Sequence, residues 1–211
     1  MKHFFYILFS LTFVIHSVSA QNTAKGKEIL SAMSKKYKGY STIKADFKYI
    51  LEVQSEKFKE EQKGSFSLKG QKFRLEMGEQ SVMCDGKLIW TYLKDANEVQ
   101  VNRFDPKAMN ISPTEIFTMY EKGFLYAYTG DEGNYEVIEL TPNDKKVNYF
   151  KVKIFVDKLK KVIAKAKIYE KNGNIFTYEI LNQVPNSPMT DNMFVFDKTK
   201  YPKVTVTDLT K

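Results

Sequence analysis

The sequence predicts a mainly β fold: a half-open, curled antiparallel sheet, an incomplete β-barrel, with two or so short helices covering an apolar concave face. Three observations predict it. Residues 43–53 alternate, with Ile43, Ala45, Phe47, Tyr49, Leu51 and Val53 on one side and mostly Lys, Asp and Glu on the other, which is the period of a strand with one buried face. Shorter runs of the same period come after it, for about ten strands in all, separated by turn residues such as Asp85-Gly86 and Asn172-Gly173; many short strands with turns between them describe a barrel or a curled sheet. Only two segments have helical spacing, so helices cover the sheet rather than form a layer of their own.

Taken in order, Lys25 to Lys38 reads as an amphipathic helix, because Ile29, Met33 and Tyr37 recur every four residues beside Leu30 and Gly39 comes next as a stop. After the long strand come Ser65–Lys69, with Phe66 and Leu68 inward, and Phe73–Met77, with Phe73, Leu75 and Met77 inward and Arg74 and Glu76 outward. Lys69-Gly70-Gln71 turns between them. Val82–Cys84, Leu88–Leu93 and Glu98–Phe104 are three further strands. Ser112-Pro113-Thr114-Glu115 is a capping box with Pro at the first helical position, and Ile111 and Ile116 are spaced as a hydrophobic staple. The helix it opens carries Ile116, Phe117, Met119 and Tyr120 on an apolar stripe and ends at Gly123. The remaining strands are Phe124–Tyr128, Tyr135–Thr141, Phe150–Val156, Ala164–Ile168 and Phe176–Ile180, then a late one holding Phe194 and Phe196 and a terminal one holding Val204 and Val206.

Residues 1–20 read as a secretory signal peptide: Lys2, an apolar run from Phe4 to Ile15, and small residues from Ser17 to Ala20. Cleavage after Ala20 leaves residues 21–211 as a single exported, periplasmic domain; Gln21 in place of Cys gives no site for a lipid anchor, and no stable membrane insertion is expected. A transmembrane barrel needs an apolar outer face, whereas one strand face here is Lys-rich throughout.

Both histidines, His3 and His16, fall within the signal. Residues 21–211 contain one Cys and no His, which excludes Ser-His-Asp and Cys-His nucleophile systems and ordinary zinc sites. No catalytic residue, metal or cofactor is expected, and the chain is read as a non-enzyme; a carboxylate hydrolase built on Glu52, Glu76 and Asp85 is the enzymatic rival, and a purely structural envelope protein is another. Only Arg74 and Arg103 among 33 basic residues are Arg. Nucleic-acid readers favour Arg, so the Lys-rich faces are read as a solvated surface and no nucleic-acid partner is expected.

The stretch SVMCDGKLIWTYL, residues 81–93, holds the only Cys and the only Trp. It reads as a hairpin: Cys84 ends one strand as a small buried side chain, Asp85-Gly86 turns, and Trp90 and Tyr92 share one face of the returning strand.

The order of these pieces resembles the outer-membrane lipoprotein carrier family, the LolA-type periplasmic chaperones, over nearly all of the exported chain. The resemblance is carried by STIKADFKYI after the first helix, GSFSLKGQKFRLEM, the Asp-Gly-x-x-x-Trp-x-Tyr pattern DGKLIWTY (Asp85 to Tyr92), SPTEIF opening a helix, IELTP, and FVFD before a final strand. It implies a monomeric half-barrel that performs no chemistry. Such a protein shields the acyl chains of lipoproteins received from an inner-membrane ABC transporter and passes them to an outer-membrane acceptor. Phe47, Tyr49, Leu51, Phe66, Leu68, Phe73, Leu75, Met77, Trp90 and Tyr92 would then wall the hydrophobic cavity, and Ile116, Phe117, Met119 and Tyr120 would form its lid; for any one of them, plain core packing is the simpler role. Many family members carry Lys-Arg-Pro in the turn before the third strand, where the Arg helps latch the lid; this chain has Lys69-Gly70-Gln71, and the role is not carried over to Arg74. A lipid-binding or envelope-sensing module on the same half-barrel is the alternative.

Overall fold

The computed structural model describes residues 15–105, 120 and 123–210, and side chains from residue 23 onward. The expected second helix lies outside the described residues apart from Tyr120. The first helix, α1 (Ile15–Lys38), leads into twelve strands: β1 (Ile43–Val53), β2 (Phe58–Lys69), β3 (Lys72–Met77), β4 (Gln80–Cys84), β5 (Leu88–Leu93), β6 (Glu98–Arg103), β7 (Phe124–Glu132), β8 (Tyr135–Pro142), β9 (Tyr149–Asp157), β10 (Ile163–Glu170), β11 (Asn174–Pro185) and β12 (Thr205–Asp208). They form one sheet in the order β12-β6-β5-β4-β3-β2-β1-β11-β10-β9-β8-β7.

The sheet is not closed: β7 and β12 are its two edges. Neighbours are antiparallel except β12, which runs parallel to β6. The joint between the two halves is β1 with β11, paired from Ile43 opposite Pro185 to Val53 opposite Asn174 and interrupted by a bulge between Asp46 and Phe47. The edge at β7 is covered by α1. Gly26 makes this close approach, since a Cβ there would stand 3.2 Å from the Tyr128 backbone nitrogen, and the Lys25 ammonium sits 4.0 Å from the centre of the Tyr128 ring. A covered edge cannot recruit another strand.

The inner face carries the main core. Ile29, Leu30, Met33 and Tyr37 of α1 pack with Ile43, Leu68, Phe73 and Cys84 on one wing and with Ile138, Leu140, Val152, Ile154, Val156 and Ile163 on the other. The stripe expected on the first helix is therefore the buried one. The helix runs further toward the N-terminus than its apolar spacing indicates, into the stretch read as signal.

A second core lies on the outer face of β4–β6, where Met83, Tyr92, Val99 and Val204 are buried with Trp90, Phe196 and Tyr201 packed against them. It is made by the C-terminal segment, which crosses this face before joining it as β12. Phe194 and Phe196, expected in a strand, lie instead in and after a 3-10 turn, Asp191–Phe194. The segment is tied down by Asp191, which binds Lys69 and Lys72 at 3.0 and 2.7 Å, and by Asn186, which accepts from the Ser41 backbone at 2.8 Å. The two lysines hold the Asp191 carboxyl below its ordinary range, Lys72 first.

Candidate functional site

Strand register assigns each expected wall residue to a face. On β1, β2 and β3 the rows Ile43–Leu68–Phe73, Ala45–Phe66–Leu75 and Phe47–Gly64–Met77 run across the inner face. Leu68 and Phe73 sit in the core beneath α1, and Phe73 is wholly buried. Phe66 is partly buried against the same core. Phe47, Tyr49, Leu51, Leu75 and Met77 lie further along the inner face, and all but the buried Phe47 are half-exposed.

Sequence reasoning missed two members of this patch. Across the β1–β11 joint, Tyr178 stands opposite Tyr49 and Phe176 opposite Leu51. Their rings form a continuous surface: Phe47 to Tyr178 is 6.3 Å between centroids, Tyr49 to Tyr178 is 5.4 Å and Tyr49 to Phe176 is 6.1 Å. These spacings favour tilted aromatic packing. The alternation of β11 signalled a greasy face, but its partner strand is more than a hundred residues away in the chain. Glu60 and Gln62 of β2 border the patch; the Gln62 side chain donates to Glu60 at 2.5 Å.

Trp90 and Tyr92 are corrected. Register pairs Cys84 with Ile89 and Met83 with Trp90, so Ile89 faces inward and Trp90 and Tyr92 face the other way, into the second core. Tyr92 packs at 4.5 Å from Tyr201 and 5.5 Å from Phe196 between centroids. Of the expected lid, Tyr120 is buried and its hydroxyl donates to the Leu30 carbonyl at 3.0 Å; Ile116, Phe117 and Met119 lie outside the described residues. A cavity of about 600 Å³ opens between α1, Tyr120 and Tyr126, and Tyr120 alone of the expected wall and lid residues is among the described residues that line it.

Glu52 faces outward beside Lys59; Glu76 binds Arg74 at 2.7 Å and accepts from Ser81; Asp85 closes its turn by accepting from the backbone of Lys87 and Leu88 at 2.8 Å each. Glu76 and Asp85 are thus engaged in separate places, and the Lys59 opposite Glu52 is itself paired with Glu61 at 2.8 Å. Cys84 is wholly buried, its thiol pushed up to about 11 chiefly by burial, the opposite of an activated nucleophile. Among the described residues no three His, Cys, Asp or Glu side chains gather as metal ligands would.

The Outer membrane lipoprotein carrier protein LolA family model matches residues 38–197. The chain belongs to the LolA family. An outer-membrane lipoprotein carrier protein of Nitrosospira multiformis is 25% identical over 166 residues, 74% of this chain and 77% of its own length. Among solved structures, an uncharacterized conserved protein of Thermus thermophilus overlays with a TM-score of 0.56 at 11% identity, covering 87% of this chain and 99% of that one. A LolA superfamily protein of Nitrosomonas europaea gives 0.45 at 13% identity, covering 82% and 98%.

The turn before β3 engages the C-terminal segment. Gly70 adopts φ 58°, a conformation that favours glycine. Lys69 beside it reaches the Met189 carbonyl and Asp191 of the C-terminal segment. Arg74 donates to the Met193 carbonyl at 3.3 Å. Both cations serve the outer face.

Two tyrosines make the inner face sensitive to alkali. The Tyr37 hydroxyl accepts from the Ile163 backbone at 3.0 Å and donates to Gln183 at 3.2 Å, and burial raises its ionisation well above the ordinary range. Burial also pushes Tyr178 up to about 12. The folded state therefore holds both protonated when an unfolded chain, with tyrosines near 10, ionises. Their contribution is full below pH 10 and is lost as pH rises toward 12 and beyond. Urea midpoints measured from pH 8 to 12 should fall above pH 10, and the fall should be shallower in Tyr178→Phe; equal slopes would count against the burial of Tyr178.

Proposed function

We propose that this protein is a periplasmic carrier that binds the acyl chains of lipoproteins and ferries them from the inner to the outer membrane without chemistry or a cofactor. The observation that carries this reading is the patch of Phe47, Tyr49, Leu51, Leu75, Met77, Phe176 and Tyr178, an apolar surface on the inner face of an open sheet that lies beyond the core packed under α1. Family membership and the name of the Nitrosospira multiformis relative support the same reading. Ile116, Phe117 and Met119, with Tyr120, remain the proposed lid, and an inner-membrane transporter and an outer-membrane acceptor the proposed partners.

The physics sets what such a patch must do. An exposed acyl chain costs about 0.8 kcal/mol per CH₂, so a chain of roughly 15 carbons costs on the order of 10 kcal/mol in water. Aromatic rings and Met offer an adaptable surface to such a chain. Exchange of lid contacts for acyl contacts would keep net affinity modest and release reversible.

The test is whether the purified protein brings a lipoprotein from inner-membrane vesicles into solution. Release is expected, with intact acylated lipoprotein found by mass spectrometry in the soluble complex. Failure to release, or capture of free lipid alone, overturns the carrier reading. Photocrosslinkers at Phe47 and Met77 should capture the lipoprotein, and one at Trp90, on the outer face, should not.

A further inference from the structure

The lysines of the outer face have no part in the carrier reading. On β9 and β10, Lys151, Lys153, Lys165 and Lys167 share that face, and Lys153 stands directly opposite Lys167. Like charges directly opposed across an antiparallel pair are destabilising. Of the carboxylates around them, Glu139, in register with Lys153, lies 3.8 Å from Lys151, Glu179 binds Lys48 at 3.0 Å, and, beside the effect of burial, Glu139, Glu132 and Glu52 lie near enough to Tyr169 to hold its hydroxyl protonated. Among the described residues, Lys153 and Lys167 have no carboxylate within ion-pair distance.

Two further features adjoin these cations. Thr177, in register with Lys167 on β11, is 1% exposed, and its hydroxyl has no hydrogen-bond partner among the described residues; buried hydroxyls nearly always have one. At the other end, Phe150 is 50% exposed, its ring centroid 6.3 Å from that of Tyr169, and the Lys151 ammonium lies 5.7 and 4.6 Å from the two ring centres.

We propose that the outer face of β9–β10 docks reversibly on a membrane surface of phosphate-bearing anionic lipids. The ammonium groups meet head-group phosphates, and the Phe150–Tyr169 pair enters the zone between head groups and acyl chains, where lysines beside aromatic rings are the favoured composition. An acidic protein face is the other occupant these cations would accept, and the test below separates it from a membrane. The docking does not depend on the carrier reading, because it uses the other face of the sheet and no acyl cargo.

The experiment is co-sedimentation of the protein with phosphatidylcholine vesicles, with and without phosphatidylglycerol. Binding is expected only with phosphatidylglycerol, weakening as salt rises. Lys153→Gln with Lys167→Gln should weaken it about thirty-fold, from roughly 1 kcal/mol per lysine at the surface. Lys44→Gln with Lys63→Gln removes the same charge from β1 and β2, two and three strands from β10 and about 10–14 Å away; that variant should bind nearly as the parent does. The proposal is overturned by equal binding to both vesicle types, by equal weakening in the two variants, or by retention on immobilised polyaspartate without vesicle binding. Unchanged thermal midpoints in both variants keep folding out of the comparison.

Discussion

Replacing Phe73 by Ala is expected to cost about 3–5 kcal/mol of folding stability. The side chain is fully buried, stands between Leu68 and Cys84 in strand register, and meets Phe104 edge-on at 5.8 Å between ring centroids. Its removal leaves a void beneath α1, ringed by side chains from α1, β1, β2 and β4 that are themselves buried. For a domain of this size the loss corresponds to a fall in Tm of about 10 °C. Urea unfolding followed by far-UV circular dichroism measures it, and a loss below about 1 kcal/mol would place Phe73 outside the core. Leu51→Ala makes the informative contrast. That side chain is half-buried at the far end of the inner face, so its loss should lower stability little and lipoprotein release more.

Gly64→Ala should destabilise the protein by about 1–3 kcal/mol although it adds only a methyl group. A Cβ at this position would stand 2.5 Å from Cζ and 2.9 Å from Cε1 of Phe47 and 2.6 Å from the Glu76 carbonyl oxygen. The ring can turn aside, but the carbonyl belongs to β3 and moves only with its strand. Two consequences separate these contacts. Gly64→Ala with Phe47→Leu should recover the part of the loss that comes from the ring and leave the part that comes from Glu76. Lipoprotein release by Gly64→Ala should fall further than stability does, because the displaced ring enters the proposed acyl surface. A single variant as stable and as active as the parent would remove Gly64 from any role in seating Phe47.

The inner face was readable from β1 to β3 because the outward positions there, the buried Ile50 apart, are charged or small: Lys44, Asp46, Lys48, Ser67, Arg74 and Glu76 mark the other face. The same reasoning fails on β5. Leu88-Ile89-Trp90-Thr91-Tyr92-Leu93 is apolar on both faces, because both faces are covered, one from the α1 side and the other by Phe196, Tyr201 and Val204. Periodicity identifies which residues share a face; it cannot say which face is the concave one when neither meets water. The polar half of β2, Phe58 to Lys63, was missed for the converse reason, since Lys-Glu-Glu-Gln-Lys has no apolar alternation and is held in the sheet by pairing with β1. Phe176 and Tyr178 required the β1–β11 joint, which only the folded chain brings together.

The C-terminal segment gives the sheet uneven thickness. Along β4–β6 the sheet has a packed layer on its outer side, whereas the outer side of β9 and β10 carries lysine stems and scattered rings. A plate resists bending steeply as its thickness grows, so the second layer stiffens the β4–β6 wing, whereas β7–β10 are backed on the inner side alone, by α1. The aromatic patch at the β1–β11 joint lies between these two unequally backed wings.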